Sequence, residues 1–245
     1  MSENHQYLTT GEVAAMLGWS PRFIDSLVRH EKLPGLEIRG EWKFERAELI
    51  GWLEQKIKTL DHTHVVELEN QIATPAKDSE EYDPVTLQLS KAGILLDEPI
   101  QNKAELLRRL VDFSYETGAI TDRITLLDSL KEREELCSTA LTGGVAICHP
   151  RRTLKQLAAK PFIRFLRTRR PIAFGAEDLS DTQLFFLLVA TDDRGHLQTL
   201  ARLARVLDDH TKAALSIAKS EHEVYSIIQE REVTINRKRQ AILSH

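Results

Sequence analysis

KEREELCSTALTGGVAICHPRR, residues 131–152, reads as the charged end of a helix, a turn, a short buried strand and a histidine at the far end of that strand. Gly143 and Gly144 allow a tight turn, and the apolar run Gly144 to Ile147 has the length and composition of a strand buried on both faces. His149 follows at once, flanked by Cys148 and Pro150 and then by Arg151 and Arg152. Three readings of that imidazole are open: a reactive group, a metal ligand shared with Cys148, or a satisfied core histidine. Zinc is disfavoured, because adjacent Cys and His do not make a ligand spacing and no CxxC or HxxxH pattern supplies the remaining ligands. We therefore expect no metal and no cofactor.

Working outward, the same alternation of strand and helix continues on both sides. Lys103 to Tyr115 carries Leu106, Leu107, Leu110, Val111 and Phe113 at helical spacing, and Gly118 closes the helix. TDRITLLDSLKEREEL is a second helix, with Ile124, Leu127, Leu130 and Leu136 on its apolar side. Pro171 to Phe174 and Leu184 to Ala190 read as further buried strands, His196 to Leu207 as a helix, and two more helical stretches fall near 212–220 and 221–230. Strands interleaved with helices make a layered α/β domain, a mixed sheet flanked by helices, over residues 86–245. Arg133 near a helix end, His149 after a strand and His196 at a helix start fall where the crevice of such a sheet opens.

The first sixty residues have another style. In LTTGEVAAMLGWSPRFIDSLVRHEKLPG, residues 8–35, Thr10 caps a helix with Val13, Met16 and Leu17 on one face, and Gly18 ends it. Ser20 and Pro21 open a second helix running through His30, with Phe23, Ile24, Leu27 and Val28 as its stripe. LEIRGEWKF then reads as a hairpin about Gly40 with Ile38 and Trp42 inward, and a last helix offers Ala47, Leu49, Ile50, Leu53 and Ile57 for packing.

Between the two lies the acid. Lys+Arg against Asp+Glu stands at 8 to 9 in residues 1–60, 1 to 7 in 61–85 and 24 to 21 in 86–245. The middle stretch is also poor in aromatics and contains Pro75 and Pro84, which reads as a linker over 61–85 between domains at 1–60 and 86–245. Leu53, Ile57, Leu60, Val65, Leu68 and Ile72 either extend the last helix as an amphipathic dimer contact or form an ordinary linker helix. With two cysteines, Cys137 and Cys148, there is no disulfide framework, and no apolar run nears the roughly 20 residues of a membrane helix, so a cytoplasmic protein without membrane contact is expected.

Residues 8–53 resemble the excisionase and MerR-like winged helix-turn-helix family: LTTGEVAAMLGWS, then LPG, then a Trp-x-Phe strand and a Trp-Leu helix stand in the family's order. The resemblance implies DNA binding, the second helix entering a major groove and the hairpin acting as a wing. Arg22 and Arg29 then become candidates for phosphate or base contacts, and Arg39 and Lys43 for phosphates beside the wing. A protein-binding or structural role is the other reading. Near-neutral charge predicts weak non-specific affinity, so a homodimer is expected.

KEREELCSTALTGGVAICHPRR and FFLLVATDDRGHLQTLARLARVL together resemble the enzyme IIA domain of the phosphotransferase system (PTS), of the fructose, mannitol and nitrogen-regulatory type. There an Arg-Glu pair precedes a GIAIPH segment and a second motif carries HL, LA and LA pairs. The likeness spans roughly Leu87 to Glu230. It places His149 on the phosphorylated histidine, His196 on the second active-site histidine and Arg133 on the active-site arginine; Thr142 is a candidate to position an imidazole through its hydroxyl. Cys148 stands where the family has proline, which frees a backbone N–H beside the site. Such a domain implies a histidine phosphocarrier, with an HPr-like protein as donor and an enzyme IIB or a regulatory partner as a possible acceptor. Joined to a DNA-binding module, it implies a transcriptional regulator set by the phosphorylation of His149. The alternatives are a phosphotransfer component passing phosphate to enzyme IIB, or a partner-binding domain that is never phosphorylated.

Overall fold

The computed structural model describes residues 7–30, 33–59, 84–153 and 156–243. The chain divides into two compact units, one of residues 1–82 with 193–201 and one of residues 83–192 with 202–245.

In the first unit, β1 (Tyr7–Thr9), α1 (Thr10–Leu17), α2 (Pro21–His30), β2 (Leu36–Ile38), β3 (Glu41–Glu45) and α3 (Arg46–Thr59) follow in order. The cap of α1 is Thr9 rather than Thr10: its hydroxyl accepts from the Glu12 N–H while Glu12 reaches back to the Thr9 N–H, a reciprocal box that closes two open backbone donors. Gly18 ends the helix in the left-handed region, and the Ser20 hydroxyl caps α2 through the Phe23 N–H. The three strands form an antiparallel sheet in the order β1-β3-β2. Ile38 pairs with Glu41, so β2 and β3 are joined by two residues, Arg39 and Gly40, both at positive φ as such a turn demands.

The hairpin departs from the sequence reading at Ile38. Trp42 is half-buried on the same face of β3 as the buried Phe44, whereas Ile38 is exposed because it pairs with Glu41, on the opposite face of the strand. Leu49, Ile50, Leu53 and Ile57 of α3 complete the core with Val13, Leu17 and Ile24.

The second unit opens with a helical turn, α4 (Val85–Gln88), whose N–H groups at Val85 and Thr86 are held by the buried Glu232 carboxylate. Of the acidic segment 61–85 only residues 84 and 85 are described, and the proposed extension through Leu60, Val65, Leu68 and Ile72 lies outside the described residues. Then come β4 (Ile94–Glu98), α5 (Lys103–Glu116), α6 (Arg123–Leu136), β5 (Ala140–Leu141), β6 (Val145–Cys148), β7 (Phe162–Ile172), β8 (Thr182–Val189), α7 (Asp193–Val206), α8 (Asp209–Ile217) and α9 (Glu221–Leu243). The sheet is mixed, in the order β4-β7-β8-β6-β5, with β4/β7 and β6/β8 parallel and β7/β8 and β5/β6 antiparallel.

The longest strand, β7, was only partly legible. FIRFLRTRRPI is broken by four arginines, and only its end and the Ala173-Phe174 beyond it stand out as apolar. Arg164 and Arg167 are nevertheless buried. Arg164 lies against the rings of Phe113 and Phe162 and donates to the Thr117 hydroxyl and the Ile163 carbonyl. Arg167 pairs with Asp97 and binds the carbonyls of Leu215, Ser216 and Ala218, which closes the C-terminus of α8. One face of the sheet packs Ala146, Cys148, Phe162, Leu166, Phe185, Leu187 and Val189 against Leu106, Leu107, Leu110 and Val111 of α5 and Leu126 and Leu130 of α6.

Candidate functional site

The second unit builds its site from α6 and the end of β6. Asp122 caps α6 through the Ile124 and Thr125 N–H groups, which sets the phase of the helix. The buried face is then Leu126, Leu130, Arg133 and Glu134, at the i, i+4, i+7, i+8 spacing of one helical stripe. The expected stripe is corrected accordingly: Leu130 is buried, Leu127 is half-buried, and Ile124 and Leu136 lie exposed. An Arg-Glu pair in the second half of the helix thus turns inward where a sequence reading would place leucines.

Both charged groups find partners there. Glu134 accepts from Lys103 at 2.9 Å and from the N–H and hydroxyl of Thr139 at 2.9 and 2.6 Å. That contact pins the segment leading into β5, and the Thr139 carbonyl in turn accepts the Ile147 N–H of β6. Arg133 sends one guanidinium nitrogen, Nη1, to the carbonyl and sulfur of Cys137 and its Nε to His149 Nε2 at 3.0 Å. On the other side of the ring, His149 Nδ1 lies 2.8 Å from the Ile147 carbonyl. A guanidinium can only donate and a carbonyl can only accept, so the ring must carry its hydrogen on Nδ1 and present a lone pair at Nε2.

Arg133 and His149 are therefore brought together. His149 is 1% exposed. Thr142 is not near it. Thr142 is an exposed residue of the turn that leads into β6, whereas His149 lies past the other end of that strand, and the Thr142 carbonyl faces Lys212 at 3.4 Å. The buried hydroxyl of this region belongs to Thr139, which sits 3.8 Å from Cys148 and which the sequence reading missed. Arg151 is half-buried with its N–H on Ser129, while Arg152 is exposed.

His196 is described with the first unit, to which the beginning of α7 belongs. It is buried, and its Nε2 lies 2.8 Å from Oε1 of Glu54, itself buried on α3. At the start of each helix, Arg46 Nε meets Asp193 at 2.6 Å. Neither pair had a sequence signal, since Glu54 and Arg46 look like ordinary solvent-facing positions of an amphipathic helix.

Elsewhere in the first unit, Arg22 and Arg29 are exposed on α2 with Ser26 between them, at i, i+4 and i+7, so the three share one face of the helix. Arg39 is exposed at the tip of the hairpin turn, and Lys43 is drawn to Glu41 at 3.3 Å.

Residues 88–231 match the family model described as "Phosphoenolpyruvate-dependent sugar phosphotransferase system, EIIA 2", and residues 7–57 match a helix-turn-helix domain model. A nitrogen regulatory protein of Bradyrhizobium diazoefficiens is 34% identical over 59% of this chain and 94% of its own length. The fructose-specific EIIA component of Haloferax volcanii is 30% identical over 56% of this chain and 89% of its own. Among solved structures, the nitrogen regulatory protein IIA-Ntr of Neisseria meningitidis superposes with a TM-score of 0.54 at 28% identity, covering 59% of this chain and 98% of that one. No helix among the described residues is long and apolar enough to cross a membrane. With more than half of its length inside the family model, the chain belongs to the EIIA 2 family of the phosphotransferase system, and it joins that domain to an N-terminal helix-turn-helix.

Proposed function

We propose that His149 accepts a phosphoryl group from a histidine phosphocarrier of the phosphotransferase system, and that its phosphorylation state sets DNA binding by the helix-turn-helix unit. The observation that carries this reading is the Arg133–His149 pair: an imidazole held by Ile147 in the tautomer that leaves Nε2 unprotonated, with a guanidinium 3.0 Å from that same nitrogen. In the transfer, the Nε2 lone pair attacks phosphorus, the N–P bond of the donor breaks, and the donor imidazole leaves with the electron pair. No proton need move, because each ring keeps the hydrogen on its other nitrogen. Arg133 shifts from the ring nitrogen to the equatorial phosphoryl oxygens, where a fixed cationic donor counts most. His196 supplies a second donor to the same oxygens.

With His149 at 1% exposure, transfer from another protein requires a state in which the ring is uncovered. On the DNA side, the exposed stripe Arg22, Ser26 and Arg29 enters the major groove, while the β2–β3 hairpin acts as a wing whose Arg39 and Lys43 meet phosphates. Two copies bind together, because a single near-neutral module holds DNA weakly. A protein that merely relays phosphate to an enzyme IIB would keep the His149 chemistry but show no change in DNA affinity. Incubation with phosphoenolpyruvate, enzyme I and HPr or its nitrogen-branch counterpart, followed by DNA titration, tests the reading. It requires label on His149 and a shift in DNA affinity between the two forms; label without such a shift leaves the relay function in its place.

A further inference from the structure

A phosphoryl group on an imidazole brings about 1.5 to 2 negative charges at neutral pH, and His149 is buried, where water screens such a charge poorly. The cations of the site must therefore balance it. Arg133 supplies one positive charge at His149 Nε2. Lys103, the other cation held by this end of α6, is bound to the buried Glu134, and that pair sums to zero. About one negative charge is left without a counterpart, and a second guanidinium would answer it.

Pro150 fixes its own φ and restricts His149 before it to extended backbone, so Arg151 follows the imidazole by a stiff step of two residues, at most about 7 Å along the chain. The Arg151 N–H then donates to the hydroxyl and the carbonyl of Ser129 at 3.2 and 3.3 Å, which ties this main chain to α6 one turn before Arg133. Its side chain is half-buried, and its Nε is shut from water with no hydrogen-bond partner among the described residues. The buried arginines of β7 differ, since Arg167 is committed to Asp97 and three carbonyls and Arg164 to Thr117 and two rings. A guanidinium has donors and no acceptor, and a donor left unsatisfied beneath the surface costs free energy until an acceptor arrives.

Resting on the reading above that His149 is phosphorylated, we infer that Arg151 is a ligand of the phosphoryl group, its guanidinium donating to equatorial oxygens beside those held by Arg133. It holds the phosphorylated state and is not a docking contact for the carrier. A charge-assisted contact made only to the phosphohistidine stabilises that state relative to the phosphorylated carrier, so His149 returns the group less readily. Arg152, exposed beside it, takes no part.

The test uses the full chain with enzyme I, the histidine phosphocarrier and phosphoenolpyruvate, comparing wild type with Arg151→Gln, Arg151→Lys and Arg152→Gln. Each phosphorylated chain is mixed with unphosphorylated carrier, and the final division of label between the two proteins is measured. Arg151→Gln moves that equilibrium at least about tenfold toward the carrier, the scale of one hydrogen bond to a charged group. Arg151→Lys, which keeps the charge and loses the fork, falls between Arg151→Gln and wild type, while Arg152→Gln matches wild type. In wild type itself, which no folding defect can obscure, the ¹⁵Nε–H signal of Arg151 moves on phosphorylation of His149. An equilibrium unchanged in Arg151→Gln overturns the role of Arg151. Where that unchanged equilibrium is reached more slowly, the residue serves carrier docking instead, because a docking contact speeds transfer in both directions alike. An equal shift in Arg152→Gln, or an Arg151 signal indifferent to phosphorylation, also overturns the role and leaves the phosphorylation reading intact. No label on His149 in any of the four proteins overturns the phosphorylation reading, and this inference with it.

Discussion

Arg133 Nε donates to His149 Nε2 across 3.0 Å, which fixes the imidazole's single hydrogen on Nδ1, against the Ile147 carbonyl. The nitrogen that carries no hydrogen is the one beside the guanidinium. This arrangement gives the first prediction: in the unphosphorylated protein, ¹⁵N NMR of His149 shows the Nδ1–H tautomer at neutral pH. Arg133→Lys removes the fork that spans His149 and Cys137, and we expect it to cut the rate of His149 phosphorylation by about 10²–10³-fold, the scale for a lost preorganised donor. An Arg133→Lys protein labelled at the wild-type rate would remove Arg133 from the site.

The two threonines of the β5–β6 region separate a buried role from an exposed one. Thr139→Val deprives the buried Glu134 of a 2.6 Å hydroxyl donor and is expected to destabilise the protein by about 1–3 kcal/mol in urea unfolding. Thr142→Val changes an exposed turn residue and stays within about 0.5 kcal/mol of wild type. Reversed magnitudes would show that the Glu134–Thr139 contact does not organise the approach to β6.

Asp208 caps α8 through the Thr211 N–H. Burial pushes its carboxyl up, but the hydrogen bonds from Thr211 and the charge of Arg231 outweigh burial and hold it below its ordinary value of 3.8. A folded-state value below the unfolded one means a contribution that is complete above pH 3.8 and disappears as pH falls through the lower folded value. Asp208→Asn therefore loses about 1 kcal/mol or less at pH 7, and the difference between the two proteins closes as the solution is acidified below about 4. A gap of constant size down to pH 2 would contradict this.

For DNA, Arg22→Ala and Arg29→Ala are each expected to weaken binding, and a phosphate contact by either reduces the slope of log K against log salt by about 1. A base contact instead costs about 1–3 kcal/mol and relaxes preference at one position of the site. Binding unchanged in both variants would move the nucleic-acid face away from α2.

Much of this architecture was legible because its signals are local. The Gly18 stop, the Ser20-Pro21 start and the apolar runs of β6 and β8 each depend on a few adjacent residues. What escaped depends on partners distant in sequence. β7 hid behind arginines whose burial becomes tolerable only once Asp97, the end of α8 and two phenylalanine rings surround them. The face of α6 was misjudged because its inward stripe ends in Arg133 and Glu134, and a hydrophobic count cannot know that Lys103, Thr139 and His149 are waiting for them. Glu54 was invisible for the same reason: 142 residues separate it from the imidazole it holds.

The central claim is that His149 carries phosphate on Nε2. ³¹P and ¹⁵N NMR of the full chain after treatment with phosphoenolpyruvate, enzyme I and the histidine phosphocarrier tests it directly. The account predicts one acid-labile phosphoryl group coupled to Nε2 of His149 and none in His149→Ala. Phosphate on Nδ1 or on another residue, or undiminished labelling of His149→Ala, would contradict it.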